Sequence, residues 1–511
     1  MRENFQQEMH AVSPRIFSER LVLVCIIGFM FVTALGIRIY HISEPPFDFH
    51  STRQYRSAII SRGYYFETAN SIPEWRRQVA RINKEREGIL EPPVMELISS
   101  IIYRVIGGEY LWIPRLLSSI FWLVGGIFVY LIAYKLYSTG PALLSTAFYL
   151  YLPFSVVASR SFQPDPLMVM MTLISIYTII QYYERPSMAR FGIAVAFSSS
   201  AIFIKPVCIF LIFGVYISLA IFRRSITSRN FLIFIILSLF PTGIFYFYGI
   251  FISGFLRKQA QLSFLPHLLV SSFYWKGWIA QIKGIIGYTA FIGSLLGVLI
   301  FSKGLSRVLL IGLWSGYFVF GLVFNYHIHT HDYYHLQFIP VVALSLGSLG
   351  DFMMNPLNRI NSRRYGQIVI SAILIMAVFL SIRKVRSKLS YQIFEHEITI
   401  AQEIGEVVGH STKTIYLALS YGKPLEYYGE LSGRYWPHIY DLNAYKLMGK
   451  QEMGVEERLK SLRLNYIPEY FIVTDLQEFE SQKDLREFLS RSFPIFAKSD
   501  YYLIFDLRRR L

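Results

Sequence analysis

Apolar segments of about 20 residues, the length that crosses a bilayer's hydrocarbon core, recur between residues 21 and 382 of this 511-residue chain. The first, LVLVCIIGFMFVTALGIRIY at residues 21–40, lacks a small-residue cleavage site and is followed by further spans, so it reads as a membrane helix and not as a cleaved signal. Windows of about 19 residues give eleven candidate spans, near residues 21–41, 111–133, 140–158, 164–183, 188–203, 205–222, 230–250, 285–301, 306–325, 335–350 and 365–382. The pair meeting at Lys205-Pro206 reads either as two spans or as one broken helix. A composition that is 53% hydrophobic and only 16% charged fits this reading and excludes an ordinary soluble domain.

The formal charge of +16 belongs beside a membrane. With the N-terminus inside, the short inner loops carry Lys135, then Arg185 and Arg190, then Lys303 and Arg307, as the positive-inside rule requires. Such cations also meet anionic headgroups, so membrane lipids are the expected partners and nucleic acid is not. A further basic cluster starts at Arg383, on the side that this topology makes outer, against the rule. The two cysteines, Cys25 and Cys208, lie inside spans and support neither a disulfide framework nor a zinc site.

These features predict a polytopic α-helical membrane protein of about eleven transmembrane helices with a soluble α/β domain at its C-terminal end. Residues 1–20 form a short cytoplasmic N-terminus, residues 21–382 the transmembrane domain with a long outer loop at 42–110, and residues 383–511 an extracytoplasmic domain. In that last part the runs TIYLALS, YFIVTD and YYLIFDL alternate with helical patterns. Within the outer loop Val94, Leu97, Ile98, Ile101, Ile102 and Val105 recur at helical spacing, which predicts an amphipathic helix lying on the membrane surface.

Several polar residues stand at the outer boundary. Asp48, in a Pro-Pro-Phe-Asp turn with Arg53 and Arg56 close behind, is placed either to accept a proton from a hydroxyl or to cap the helical run that follows. Asp165, in SFQPDP, is either a second acid facing a cavity or a helix-start residue between prolines. Glu91 precedes a Pro-Pro pair and is a turn residue or another cavity acid. The segment NYHIHTHDYYHLQFIP holds His331, Asp332 and His335. It suits a loose divalent-cation site or contacts to phosphate and sugar better than a tight zinc site. Arg53, Arg56, Arg115, Arg160 and Lys205 either anchor helix ends or offer charge to a phosphate, for which the arginine fork is suited. Tyr55 supplies a ring of the kind that lies against a sugar face.

The layout resembles the GT-C membrane glycosyltransferases, in particular the group of protein O-mannosyltransferases and lipid A aminoarabinose transferases. The features that carry the resemblance are a long outer loop with an early Asp48, the element EPPVMELI, the motif RSFQPD and the late THDYYHLQFIP, together spanning residues 21–380. The resemblance implies catalysis at Asp48 as base, support from Asp165, and a sugar donor carried on a polyprenyl phosphate. The acceptor would be a hydroxyl of a lipid, glycan or protein at the outer face of a bacterial inner membrane. Phe49 stands where many relatives carry a second acid, and Glu91 where many carry His or Lys, so phosphate recognition must come from elsewhere, with Arg53 or Arg115 as candidates. The alternatives are a transporter or flippase of a lipid-linked substrate and an inactive scaffold relative. No internal repeat of the kind common in transporters is visible.

Overall fold

The computed structural model describes residues 2–223, 228–257, 264–359, 363–389, 394–447 and 453–511. The chain forms two compact units. One comprises Met1–Ile42, Ile89–Pro93 and Pro114–Ser390; the other comprises Ser43–Gly88, Val94–Ile113 and Tyr391–Leu511. Most of the outer loop, expected with the transmembrane domain, groups with the C-terminal residues in the second unit.

In the first unit, among the described residues, five helices are long and apolar enough to cross a membrane: Arg20–Ile39, Trp112–Leu136, Asp165–Glu184, Arg229–Ile252 and Gly304–Val323. The pair Ser272–Ile285 and Gly287–Phe301, bent by 98°, makes a sixth if counted as one span. These helices make the chain an integral membrane protein. Among the described residues some of the expected spans are divided or short for local reasons. The segment 140–158 divides into Thr139–Tyr151 and Pro153–Ala158, because Pro153 has no N–H to continue the ladder. At Lys205 the backbone is extended (φ −158°, ψ 114°), which separates the short apolar helices Met188–Ile204 and Pro206–Phe222. Phe338–Met354 is also short.

Small residues let these helices approach closely, the usual device where lipid removes the hydrophobic drive for helix pairing. Gly214 on Ile209–Arg223 faces the backbone of Gly312 on Gly304–Val323, and Gly316 faces that of Phe210, leaving no room for a Cβ at either place. Ser175 and Ser198 join their helices by a 2.7 Å hydroxyl pair, and the Trp122 and Tyr149 rings stack at 4.3 Å.

The second unit is built on a five-stranded sheet: β1 (Thr414–Leu417), β2 (Gly433–Tyr435), β3 (Tyr470–Val473), β4 (Ile495–Lys498) and β5 (Leu503–Asp506). The order is β2-β1-β3-β5-β4, with β1 parallel to β2 and β3, and β5 antiparallel to β3 and β4. Alternation sends Tyr416, Ile472 and Ile504 to one face, under the helix Phe394–Val407, and Ile415, Phe471 and Phe505 to the other. The expected α/β character of residues 383–511 is thereby met.

Three outer-loop helices, Ser51–Phe66, Glu74–Glu87 and Val94–Ile106, belong to this unit. Arg76 forks onto Glu430, Asn83 donates to the Leu431 carbonyl (3.0 Å) and Arg86 to that of Thr412 (3.0 Å). Beneath them Lys423 bridges Glu87 and Glu426, and Tyr416 donates to Glu426. Burial, together with the neighbouring Glu87, pushes the Glu426 carboxyl up to about 7 against the pull of Lys423. Glu87 is held low despite its burial, by Lys423 and Arg56. Folded Glu426 therefore binds its proton more tightly than the unfolded chain does, and stability falls as pH rises from about 4.5 to about 7. Hydrogen exchange of the full-length protein should show faster opening of Glu74–Glu87 and Lys423–Tyr428 at pH 7 than at pH 5. Glu426→Gln should flatten that difference; an unchanged pH slope in the variant would remove Glu426 as its source.

The helix Val94–Ile106 buries its polar side and exposes its apolar one. Glu96 accepts from Ser57 at 2.7 Å, whereas Leu97, Ile101 and Val105 are open, Val105 to 83%. An apolar face turned away from the protein fits the expected membrane-surface helix. A fluorophore attached at Val105 of the protein in nanodiscs should be quenched by headgroup-level lipid quenchers, and one at Lys413 should not. Equal quenching at both positions would contradict this placement.

Candidate active site

In the first unit, the break at Lys205 places a lysine in the bundle interior. Its ammonium donates to Asp165 Oδ1 at 2.9 Å and lies 3.5 Å from Glu91 Oε1. Lys205 and Asp165 are each 1% exposed. The rings of Tyr333 and Tyr334, from the expected histidine segment, sit 5.2 and 4.8 Å from the same nitrogen, within cation–π range. Asp165 Oδ2 makes no hydrogen bond among the described residues. Asp165 is the first residue of its helix, and its carboxylate reaches across to Lys205 without capping its own turn. One cation between two carboxylates, buried among apolar spans, is costly and marks a functional site by default.

Glu91 and Asp165 thus converge on one cation, Lys205. Its signal was the Lys-Pro interruption of an apolar run, which reads equally as a helix boundary.

The arginines of this unit have other roles. Arg160 donates to the carbonyls of Tyr40 (2.6 Å) and His41 (2.8 Å), and Arg115 to that of Ile42 (2.7 Å), so both close the C-terminal end of the first helix. Arg38 is likewise buried, with donors on Ser159 and on the Ala34 and Leu150 carbonyls. These contacts satisfy orphan carbonyls, which need partners in a bilayer.

His335, expected as a substrate binder, is fully buried. Its Nε2–H donates to the Ile328 carbonyl (2.8 Å), which fixes the tautomer and leaves Nδ1 to accept from the Tyr317 hydroxyl (2.6 Å). Trp278 donates to that hydroxyl in turn (3.0 Å), so both ring nitrogens are engaged. His331 Nδ1 pairs with Thr330 Oγ1 (2.6 Å), and Asp332 opens the short 3-10 turn Asp332–His335. Among the described residues no three His, Cys, Asp or Glu side chains are grouped to hold a metal ion.

In the second unit, Asp48 lies in the turn before Ser51–Phe66. The cap of that helix is His50, in the left-handed region (φ 43°), so the capping reading of Asp48 is not realised. Asp48 Oδ1 instead accepts from the Gln54 amide at 3.2 Å; the same amide donates to the Phe49 carbonyl at 2.7 Å. Arg53 sits on the first turn of the same helix. Tyr55 and Arg56, expected to bind substrate, pack within this unit. Tyr55 is fully buried among Phe47, Tyr427 and Tyr428, and Arg56 donates to the Glu87 and Gly88 carbonyls at the end of Glu74–Glu87.

The fold is that of the GT-C glycosyltransferases, and the chain resembles their mannosyltransferase and ArnT-like group. The family described as dolichyl-phosphate-mannose-protein mannosyltransferase is matched over residues 90–247, a stretch that contains Glu91, Asp165 and Lys205. Among solved structures, ArnT from Cupriavidus metallidurans is similar at 13% identity, over 96% of this chain and 98% of that one, with a TM-score of 0.56. One structure of ArnT has undecaprenyl phosphate bound. The archaeal oligosaccharyltransferase AglB from Archaeoglobus fulgidus, solved with an inhibitory peptide and a dolichol-phosphate, is similar at 12% identity, over 93% of this chain and 73% of that one, with a TM-score of 0.53. Among curated proteins no relative matches.

Proposed function

We propose that this protein is an inverting glycosyltransferase that moves a sugar from a polyprenyl-phosphate donor to a hydroxyl acceptor at the outer face of a bacterial inner membrane. The observation that carries the reading is the buried Lys205, held between Asp165 and Glu91 at a helix break inside an apolar unit. A prenyl phosphate is a good leaving group. What it requires is positive charge where the phosphate's charge grows as the glycosidic bond opens. Lys205 is the cation assigned that role, and Asp165 and Glu91 hold its ammonium in place. Arg53 is a second candidate. The acceptor hydroxyl needs a base on the opposite face of the sugar carbon, and Asp48 is assigned to take its proton. A single displacement then inverts the anomeric centre. The likeness to proteins crystallised with undecaprenyl phosphate and dolichol-phosphate supports a lipid-phosphate donor.

The test is transfer of labelled sugar from a panel of polyprenyl-phosphate sugars to an envelope extract containing lipids, glycans and proteins, by the protein in nanodiscs. Label should enter the acceptor fraction with inverted anomeric configuration. Label that only crosses the bilayer of proteoliposomes, still on its lipid, would replace the transferase with a flippase.

A further inference from the structure

The sheet of the second unit has a topological switch point that none of these roles uses. The helix after β1, Lys423–Tyr428, packs through Leu425 with Tyr416 and Ile472 on one face. The helix after β3, Leu476–Ser481, packs through Phe479 with Leu417 and Val473 on the other. β1 and β3 are adjacent and parallel, so their outgoing chains part to opposite sides. In open α/β sheets that divergence opens a crevice outside the carboxyl ends of the strands, and ligands bind there.

The chain leaving each parallel strand contributes to it. β1 exits through Ser420, Tyr421 and Gly422, all in the left-handed region (φ 51°, 56° and 71°). The Tyr421 hydroxyl donates to Asp441 Oδ1 at 3.1 Å, and its ring meets those of Tyr435 and His438 edge-on at 5.0 and 5.8 Å. His438, beyond β2, holds its imidazole between two carboxylates, 3.9 Å from Asp441 and 3.8 Å from Asp475, the latter beyond β3. Both separations exceed hydrogen-bond length. The ring nitrogens thus hydrogen-bond to neither carboxylate, which leaves them to something placed between these groups. Tyr440, at the start of the helix Ile439–Leu447, is 65% exposed.

Tyrosine rings beside carboxylates and an imidazole match a pyranose, whose C–H face packs on a ring while vicinal hydroxyls donate to carboxylates and exchange bonds with imidazole. The β1 exit also touches the Asp48 segment, since Ser420 Oγ lies 2.6 Å from Ser51 Oγ, three residues after Asp48. We infer that this crevice binds a carbohydrate, neutral or amino-bearing. Its role rests on the transferase reading: it holds the sugar portion of the acceptor.

Saturation-transfer NMR on the full-length protein in nanodiscs, with methyl α-mannoside and with glucosamine as separate probes, tests the binding itself. Ring protons of at least one sugar should receive saturation, and Tyr440→Ala should weaken that binding about fivefold, the loss expected for one ring contact. Because Tyr440 is exposed, the variant keeps its fold; His438→Gln, with a side chain of similar polarity, should weaken binding likewise. No transfer to either sugar from folded wild type, equal transfer in both variants, or transfer only to a Ser/Thr-containing peptide would overturn the inference. Since the readout is binding and not turnover, this result and the transferase test fail independently.

Discussion

Lys205→Met should lower the stability of the membrane unit by about 3–5 kcal/mol, because it leaves Asp165 buried with no cation opposite it. A buried ion pair is weak evidence of stabilisation, however, since apolar replacement of both partners is often neutral. The double variant Lys205→Met/Asp165→Leu should therefore recover most of the lost stability in thermal unfolding of the detergent-solubilised chain. It should not recover transfer, which is expected to stay about 10²–10³-fold down, the range for losing one electrostatic contact to developing charge. Recovery of both would reduce the Lys205 cluster to a structural pair, and recovery of neither would point to a packing defect.

Asp48→Asn should reduce transfer by about 10²–10⁴-fold, the usual contribution of a positioned general base. The substitution suits the site because asparagine Oδ1 can still accept from the Gln54 amide, which leaves the turn before Ser51–Phe66 in place. Asp48→Glu keeps the carboxylate but displaces it by one methylene, so a partial rate is expected. Donor affinity, measured by competition with polyprenyl phosphate, should change little in either variant if Asp48 acts on the acceptor hydroxyl.

The class of protein was legible from apolar segment length and from where acids and prolines interrupt it. Asp165 and Glu91 were visible as acids at span boundaries, each reading equally as a helix-start or turn residue. Their partner was not legible: Lys205 lies 40 positions from Asp165 and far from Glu91 in sequence, and nothing in spacing brings them together. The carbonyl contacts of the arginines were hidden for a related reason. Spacing shows a cation at a boundary but not whether a carbonyl is waiting for it, as those of Tyr40, His41 and Ile42 were for Arg160 and Arg115. His335 illustrates the same limit, since its value as a ligand depends on Tyr317 and Ile328, which the folded bundle supplies. The outer loop was assigned to the spans by adjacency, whereas Arg76, Asn83 and Arg86 find their partners more than 300 residues away.

The most direct test of the transferase account is release of polyprenyl phosphate from its sugar-bearing form by the purified protein in nanodiscs, with acceptor extract, beside the folded Asp48→Asn variant. Release by the wild type and its loss in the variant is the predicted result. Equal release by both would take Asp48 out of catalysis, and no release from any donor in the presence of acceptor would contradict the transferase account.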